Sequence, residues 1–242
     1  MRVPRLYTSQ SLGGNSAVSL VDEAAHYVSK VLRLRAEDYV RLFNGEDGEY
    51  SARIVSIDKK SVSAVLEERI EGSADPRLAI HLGLGLSRGE RMDYAIQKAT
   101  EAGVSSITPL LTERCEVKLK GERIDNRMSH WERIAISACE QSGRCVVPTI
   151  ASPLTLPQWL SLPREGARFV LDHRGEAGFP ALEKPESVSF LIGPEGGLSE
   201  DEVKQAQDNH FSSLRIGPRV LRTETAPIVA ITLAQHLWGD YQ

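Results

Sequence analysis

The chain has 242 residues, 41% of them apolar and 26% charged, with a formal net charge of −4. That supplies a packed core for one large domain, or for a medium domain with a small companion, and it excludes a chain that coats nucleic acid indiscriminately, though not one with a local basic face. No apolar run approaches the ~18–20 residues that cross a bilayer, and the opening Met1-Arg-Val-Pro-Arg-Leu-Tyr lacks a secretory apolar stretch, so a cytoplasmic protein without membrane partners is expected.

Residues 1–72 read as a small β-rich domain. A helix is expected over Asp22 to Arg35, with Ala25, Val28, Val31 and Leu32 on one face. Alternating apolar residues then mark strands in Tyr39-Val-Arg-Leu-Phe-Asn-Gly, in Glu49 to Asp58 and in Ser61 to Glu67, the last two separated by an Asp58-Lys-Lys turn. Short strands and tight turns in so small a unit predict a compact barrel. The polar stretch Glu71-Gly-Ser-Ala-Asp-Pro is the expected boundary, leaving 73–242 as the second domain.

Beyond it strands alternate with helices. Leu78 to Leu86 reads as a buried strand, Ser87 and Glu90 as a capping box, and Met92, Ala95, Ile96 and Ala99 as a helical stripe that stops at Gly103. Val104 to Leu111 is the next strand. A helix over Asn126 to Ser142 turns Trp131, Ile134, Ala135 and Ala138 inward and ends at Gly143. Strands at Arg168–Leu171 and Val188–Ile192, a helix from Ser199 and a last helix after Thr225 complete an α/β domain with a mostly parallel sheet. Cys115, Cys139 and Cys145 are odd in number and form no C-x-x-C pair, and the six histidines are scattered, so reduced thiols and no metal are expected.

Two segments carry chemistry. In Leu191-Ile-Gly-Pro-Glu-Gly-Gly-Leu-Ser-Glu a strand ends in a glycine loop, and Ser199 with Glu202 caps the helix that follows. Ligands of open α/β sheets sit at such carboxyl ends of strands. Glu195 in the loop and Glu200, Asp201 and Glu202 in the first helical turn would repel a polyphosphate, so an adenine ring with a cationic centre suits the loop better. From spacing alone an ordinary strand-to-helix turn serves equally. The second segment, Arg215-Ile-Gly-Pro-Arg-Val-Leu-Arg-Thr-Glu-Thr-Ala-Pro, concentrates three arginines in a loop; they are either solvated charge or positioned for function. Thr225 is placed to cap the last helix, with Pro227 in its first turn. That helix is apolar over much of its circumference, through Ile228, Val229, Ile231, Leu233, Leu237 and Trp238, which suggests a subunit interface.

Taken together, these segments resemble the RsmE-type family of 16S rRNA uridine methyltransferases, in the SPOUT superfamily. The resemblance extends to Arg91-Met-Asp-Tyr-Ala-Ile-Gln-Lys-Ala-Thr-Glu-Ala-Gly-Val, Glu113-Arg-Cys, Trp131-Glu-Arg-Ile and Glu140-Gln-Ser-Gly-Arg, and to Val31-Leu-Arg-Leu and Leu42-Phe-Asn-Gly in the first domain. It departs at Ala36-Glu37-Asp38, where the family often has a glycine before the aspartate. The resemblance implies an N-terminal PUA-like β-barrel, a trefoil-knotted α/β methyltransferase domain, a homodimer, and S-adenosylmethionine as cofactor. It also implies that Gly193 to Gly197 and Ile216 to Ala226 lie side by side.

On that footing the cofactor residues are Leu171, Ile192, Gly193, Glu195, Gly196, Gly197, Ile216, Gly217, Leu221, Thr223, Thr225 and Ala226. The reaction implied is methylation of N3 of a uridine near the decoding region of 16S rRNA, free or in the small subunit. Arg222 is the expected stabiliser of charge on the uracil, while Glu195 or Glu224 either assists proton removal or orients a neighbour. Arg2, Arg5, Lys30, Arg33, Arg35, Arg88 and Arg91 are the RNA-binding candidates. Two other readings stand beside this one: a non-catalytic RNA-binding assembly factor, and a nucleotide-dependent oxidoreductase, the latter weakened by the missing G-x-G-x-x-G spacing.

Overall fold

A computed structural model of the chain describes residues 3–14, 16–71, 75–117, 121–175, 178–179 and 183–241. It divides into two compact units, one of Met1–Asp75 with Cys139–Val147, the other of Pro76–Ala138 with Pro148–Gln242. The short 139–147 piece of the first unit has no counterpart in the hydrophobic pattern.

In the first unit β1 (Arg5–Tyr7), β2 (Ala17–Val21), α1 (Asp22–His26), β3 (Tyr39–Phe43), β4 (Glu49–Ile57) and β5 (Ser61–Ile70) build a mixed half-barrel in the order β1-β3-β4-β5-β2. The β1–β3 pair is parallel and the others antiparallel. Register shifts between Tyr50 and Ala52, and between Ile54 and Ser56, give β4 the bends that curl such a sheet. Val40, Leu42, Ile54 and Val62 turn inward as read, Val18 and Leu20 join them in one core from β2, a strand the reading did not mark, and Asp58 N–H donates to Ser61 O at 2.8 Å across the expected turn.

The first helix is shorter than its periodicity suggests. After His26 the chain continues as a π-helical turn, Tyr27–Val31, in which Leu32 N–H reaches back five residues to Tyr27 O (2.9 Å). The wider turn puts later side chains out of phase: Ala25 and Val28 are buried, but Val31 is 56% exposed and Leu32 only half-buried. Glu37, where the family often has glycine, has φ +74, a left-handed backbone that costs an ordinary residue about 1–2 kcal/mol. Its N–H donates to Ile54 O at 2.8 Å and its carboxylate pairs with Arg53 at 2.8 Å, which hold it there.

Arg5 corrects the RNA-binding set, because it is only 8% exposed. Its Nε pairs with Glu49 at 2.6 Å, and its other nitrogens donate to the carbonyls of Cys139 (2.6 Å), Glu140 (3.3 Å) and Arg144 (3.0 Å). The guanidinium also lies 4.7 Å from the centre of the Phe43 ring. An uncompensated buried charge costs about 3–5 kcal/mol, so this cation belongs to the fold and has nothing left for a phosphate. Phe43, Cys139 and Cys145 pack beside it, and all three cysteines are free thiols. Burial pushes the Cys139 thiol up to about 11, so it packs as an apolar group.

The second unit holds β6 (Ala79–Gly85), α2 (Glu90–Glu101), β7 (Ser106–Leu111), α3 (Glu122–Ser142, up to Ala138), β8 (Thr149–Ile150), β9 (Leu154–Thr155), α4 (Leu156–Leu160), β10 (Ala167–Leu171), β11 (Ser187–Ile192), α5 (Glu200–Asp208), β12 (Ser212–Leu214) and α6 (Ala226–Trp238). Every pairing is parallel, in the order β12-β10-β11-β6-β7-β8, with β9 also on β7. The central strands β6 and β11 are buried almost throughout, as both faces are covered. One side packs Leu110, Trp159, Val170, Leu191 and Phe211; elsewhere Phe169 stacks on Phe190 and Trp238.

Three capping expectations meet different fates. The Ser199–Glu202 box forms, with both reciprocal bonds in place (3.2 and 3.0 Å). The Ser87–Glu90 box does not: Gly89, at φ +50, precedes the first turn of α2, so the helix starts two residues too late for that spacing. Thr225 does precede α6, but its backbone is already helical and its side chain makes no cap bond. Helix α3 starts at Glu122, four residues ahead of the reading, and β8, β9 and α4 are too short for periodicity to show. No helix among the described residues is long and apolar enough to cross a membrane.

Candidate active site

Strand β11 delivers the chain to Gly193 at the carboxyl edge of the parallel sheet. Gly197 N–H donates to Pro194 O at 2.8 Å and closes a tight turn, with Gly197 at φ +68. A Cβ on Gly193 would lie 2.8 Å from both Gly197 C and Leu198 N, so the loop folds back directly over that residue. Gly85, at the end of β6, is a second such position: its Cβ would stand 2.4 Å from Pro194 N. Sequence reading passed it over, although a glycine inside an otherwise apolar strand is itself the signal of close backbone approach.

The arginine–threonine segment lies against this loop. Thr223 Oγ1 donates to Gly193 O at 2.9 Å and sits 3.3 Å from the buried Ser87 hydroxyl. Thr225 and Ala226 N–H groups both donate to Arg222 O at 2.9 Å, fixing the turn into α6. Between loop and segment is a cavity of about 420 Å³. It is lined by Leu171, Ile192, Gly193, Glu195, Gly196, Gly197, Ile216, Gly217, Leu221, Thr223 and Ala226, together with Arg222 and Glu224. Thr225 is not among the lining residues. Asp172, Leu214 and Arg114 also line it and escaped the sequence reading; Asp172 follows the end of β10, where ligands of such sheets sit. The cavity is within the ~300–1,000 Å³ typical of small-molecule sites.

Charge is unevenly committed around it. Glu195 Oε1 accepts from Arg88 N–H and from an Arg91 guanidinium nitrogen, each at 3.1 Å. Burial pushes its carboxyl up, but bonds from Arg88 N–H, its own N–H, Arg91 and Ser87 outweigh that and hold it below the usual range. A carboxylate so occupied is a poor proton acceptor and a good brace. Glu202 Oε1 accepts Glu113 N–H at 2.8 Å, tying the loop after β7 to the start of α5. Arg222, by contrast, is exposed, and among the described residues no ion pair engages its guanidinium. Arg91 lines the cavity, while Arg88 pairs with Glu116 at 2.7 Å just outside it. In the first unit Lys30, Arg33 and Arg35 are exposed; Arg2 lies outside the described residues.

Residues 74–235 match the RNA methyltransferase domain, and residues 20–67 match the RNA methyltransferase PUA domain. The chain is 36% identical to ribosomal RNA small subunit methyltransferase E of Buchnera aphidicola, over 100% of this chain and 96% of that one. It is 29% identical to the Bacillus subtilis protein of the same description, over 93% and 92%. Among solved structures, a putative methyltransferase of Legionella pneumophila in complex with the cofactor SAM superposes with a TM-score of 0.95 at 37% identity, covering 99% of this chain and 100% of that one. Ribosomal RNA small subunit methyltransferase E of Neisseria gonorrhoeae, bound to S-adenosyl methionine, gives 0.93 at 34% identity, with 100% of each covered. The chain belongs to the ribosomal RNA small subunit methyltransferase E family.

Proposed function

We propose that the chain binds S-adenosylmethionine in the cavity between Gly193–Gly197 and Ile216–Ala226, and methylates N3 of one uridine of 16S rRNA near the decoding region. The observation that carries this is the cavity itself. Leu171, Ile192, Leu214, Ile216 and Leu221 give it apolar walls for an adenine ring, and the glycine turn brings backbone to its edge. The acidic first turn of α5 disfavours a polyphosphate and tolerates a sulfonium. The Thr223–Gly193 bond fits a C-terminal segment threaded as the family's knot requires.

When bound, the cofactor supplies a methyl group already electrophilic on sulfur. The chain's own residues must hold the uracil in line and stabilise the anion left when N3 loses its proton. N3 lies on the Watson–Crick edge, so the base has to be unpaired or extruded. Arg222, which no ion pair among the described residues engages, offers planar donors for the uracil oxygens. Glu195 braces Arg91 and the loop after β6, leaving Glu224, half-buried at the cavity wall, as the candidate proton acceptor. Lys30, Arg33 and Arg35 of the first unit would contact RNA phosphates.

Titration with S-adenosylmethionine and, separately, NAD(H) should give saturable binding of the first alone. Mapping of 16S rRNA from cells lacking the protein should reveal one uridine without its N3 methyl group. An assembly factor would bind RNA but no cofactor, and an oxidoreductase would bind NAD(H); either result defeats the proposal.

The protein is also proposed to act as a homodimer in the cytoplasm. Along α6, Val229 and Leu233 are half-buried and Leu237 is 49% exposed, an apolar stripe at i, i+4 and i+8 that a second copy would cover. Light scattering at micromolar concentration should give twice the chain mass. A monomer mass would refute it.

A further inference from the structure

Beside the cofactor cavity is a second, more open cleft of about 610 Å³, lined by Arg88, Glu90, Arg91, Arg114, Glu116, Glu195 and Gly196. Three guanidinium groups converge there from separate segments: the loop after β6, the first turn of α2 and the loop after β7. Arg114 is the least committed. One of its nitrogens donates to Gly196 O at 3.1 Å, and the side chain is otherwise exposed. Its stem packs on the glycine loop, since a Cβ on Gly196 would lie 3.0 Å from Arg114 Cβ. The charged head is therefore positioned rather than free to sweep.

Three arginines face three glutamates in this cleft, and the carboxylates differ in how firmly they are held. Glu195 is fixed by the Arg88 backbone as well as by Arg91. Glu116 pairs with Arg88 at 2.7 Å, but both side chains are 69% exposed, the setting in which an ion pair is weak and exchanges readily. Gly89, between Arg88 and α2, has φ +50 and open space where a Cβ would be, so a ligand could approach the backbone closely.

Resting on the methyltransferase reading, we propose that Arg114, with Arg88 and Arg91, forms a subsite for a phosphodiester of the RNA strand next to the target nucleotide, and that Glu116 occupies this position until RNA arrives. A diester oxygen pair suits planar guanidinium donors, and the cleft shares Arg91, Arg114, Glu195 and Gly196 with the cofactor cavity. A phosphate seated there would lie within a nucleotide or two of the reacting base. The same chemistry would accept another carboxylate, that of the cofactor's amino-acid end, and the test separates the two.

The test uses small ribosomal subunits from cells lacking the protein. Arg114→Ala should raise KM for subunits about tenfold, with little change in kcat, and flatten the slope of log kcat/KM against log salt by about one. Because Arg114 also lines the cofactor cavity and holds Gly196 O, its S-adenosylmethionine affinity should fall too, but by clearly less than the KM for subunits rises, and Arg114→Lys should recover the salt slope but only part of the KM. Glu116→Gln, which releases Arg88, should lower KM at low salt. A fall in cofactor affinity with unchanged KM for subunits would assign Arg114 to the cofactor and overturn the subsite, as would an unchanged salt slope. If the parent protein methylated nothing, the reading beneath would fail, and the salt slope of subunit binding would still test the subsite.

Discussion

Replacing Gly193 with valine is expected to lower S-adenosylmethionine affinity by about a hundredfold in a protein that still folds. A Cβ at this position meets Gly197 C and Leu198 N at 2.8 Å, and these are backbone atoms that cannot rotate aside. The turn must move outward, taking with it the cavity edge and the carbonyl that accepts from Thr223. Overpacking of this kind costs about 1–3 kcal/mol, and each ~1.4 kcal/mol drawn from binding is a tenfold loss.

Gly197→Val approaches the same wall differently. Nothing lies within 4 Å of its Cβ, so the free protein has room for the side chain and bears only the strain of φ +68. Its methyl groups would then compete with the ligand for space at the cavity edge. Calorimetric titration of both variants, with circular dichroism to establish folding, checks the pair. Parental affinity in a folded Gly193→Val protein would show that the glycine turn does not shape the ligand site.

Most of the second unit's order can be read from its residues because long strands and helices carry strong periodicity. Met92, Ala95, Ile96 and Ala99 are buried as their spacing requires, and the Ser199–Glu202 box forms because both members flank a real helix start. The failures are local. The Asp22 helix ended early because a π turn needs only one extra residue, which no apolar pattern announces. Arg5 looked like an RNA contact because a basic residue near a terminus carries no sign of burial; its partners Glu49, Cys139 and Arg144 lie far along the chain. The juxtaposition of Gly193 with Thr223 came from family resemblance, since connection rules alone argue against a threaded segment. Gly85 inside its strand signals a close approach and Arg114 stands within Glu113-Arg-Cys, but neither shows its role in sequence: each matters through a neighbour about a hundred residues away, Pro194 for one and Gly196 for the other, that only folding brings close.

Arg222→Ala should lower the single-turnover rate by about 10²–10³ at saturating RNA and cofactor, the usual loss when one donor to a developing oxyanion is removed. Cofactor affinity should stay within a few fold, because the backbone at this position is fixed by the Thr225 and Ala226 N–H groups whatever the side chain. The competing role for Arg222 is a tether to Glu195 or Glu224, but Glu195 is engaged by Arg88 and Arg91, and neither carboxylate pairs with Arg222. Removing a tether would lower cofactor binding and thermal stability together; removing an electrophilic helper leaves both and slows the chemistry. Arg222→Lys should restore part of the rate, since a point charge keeps the attraction but loses the planar fork. The pH profile adds a readout that a structural role would not move. Without the guanidinium the uracil must ionise unaided, so the alanine variant's rate should climb with pH toward the range where free uracil loses its N3 proton, while the parent levels off earlier. A near-parental rate for Arg222→Ala, or a pH profile that simply runs parallel below the parent's, would take Arg222 out of the chemical step.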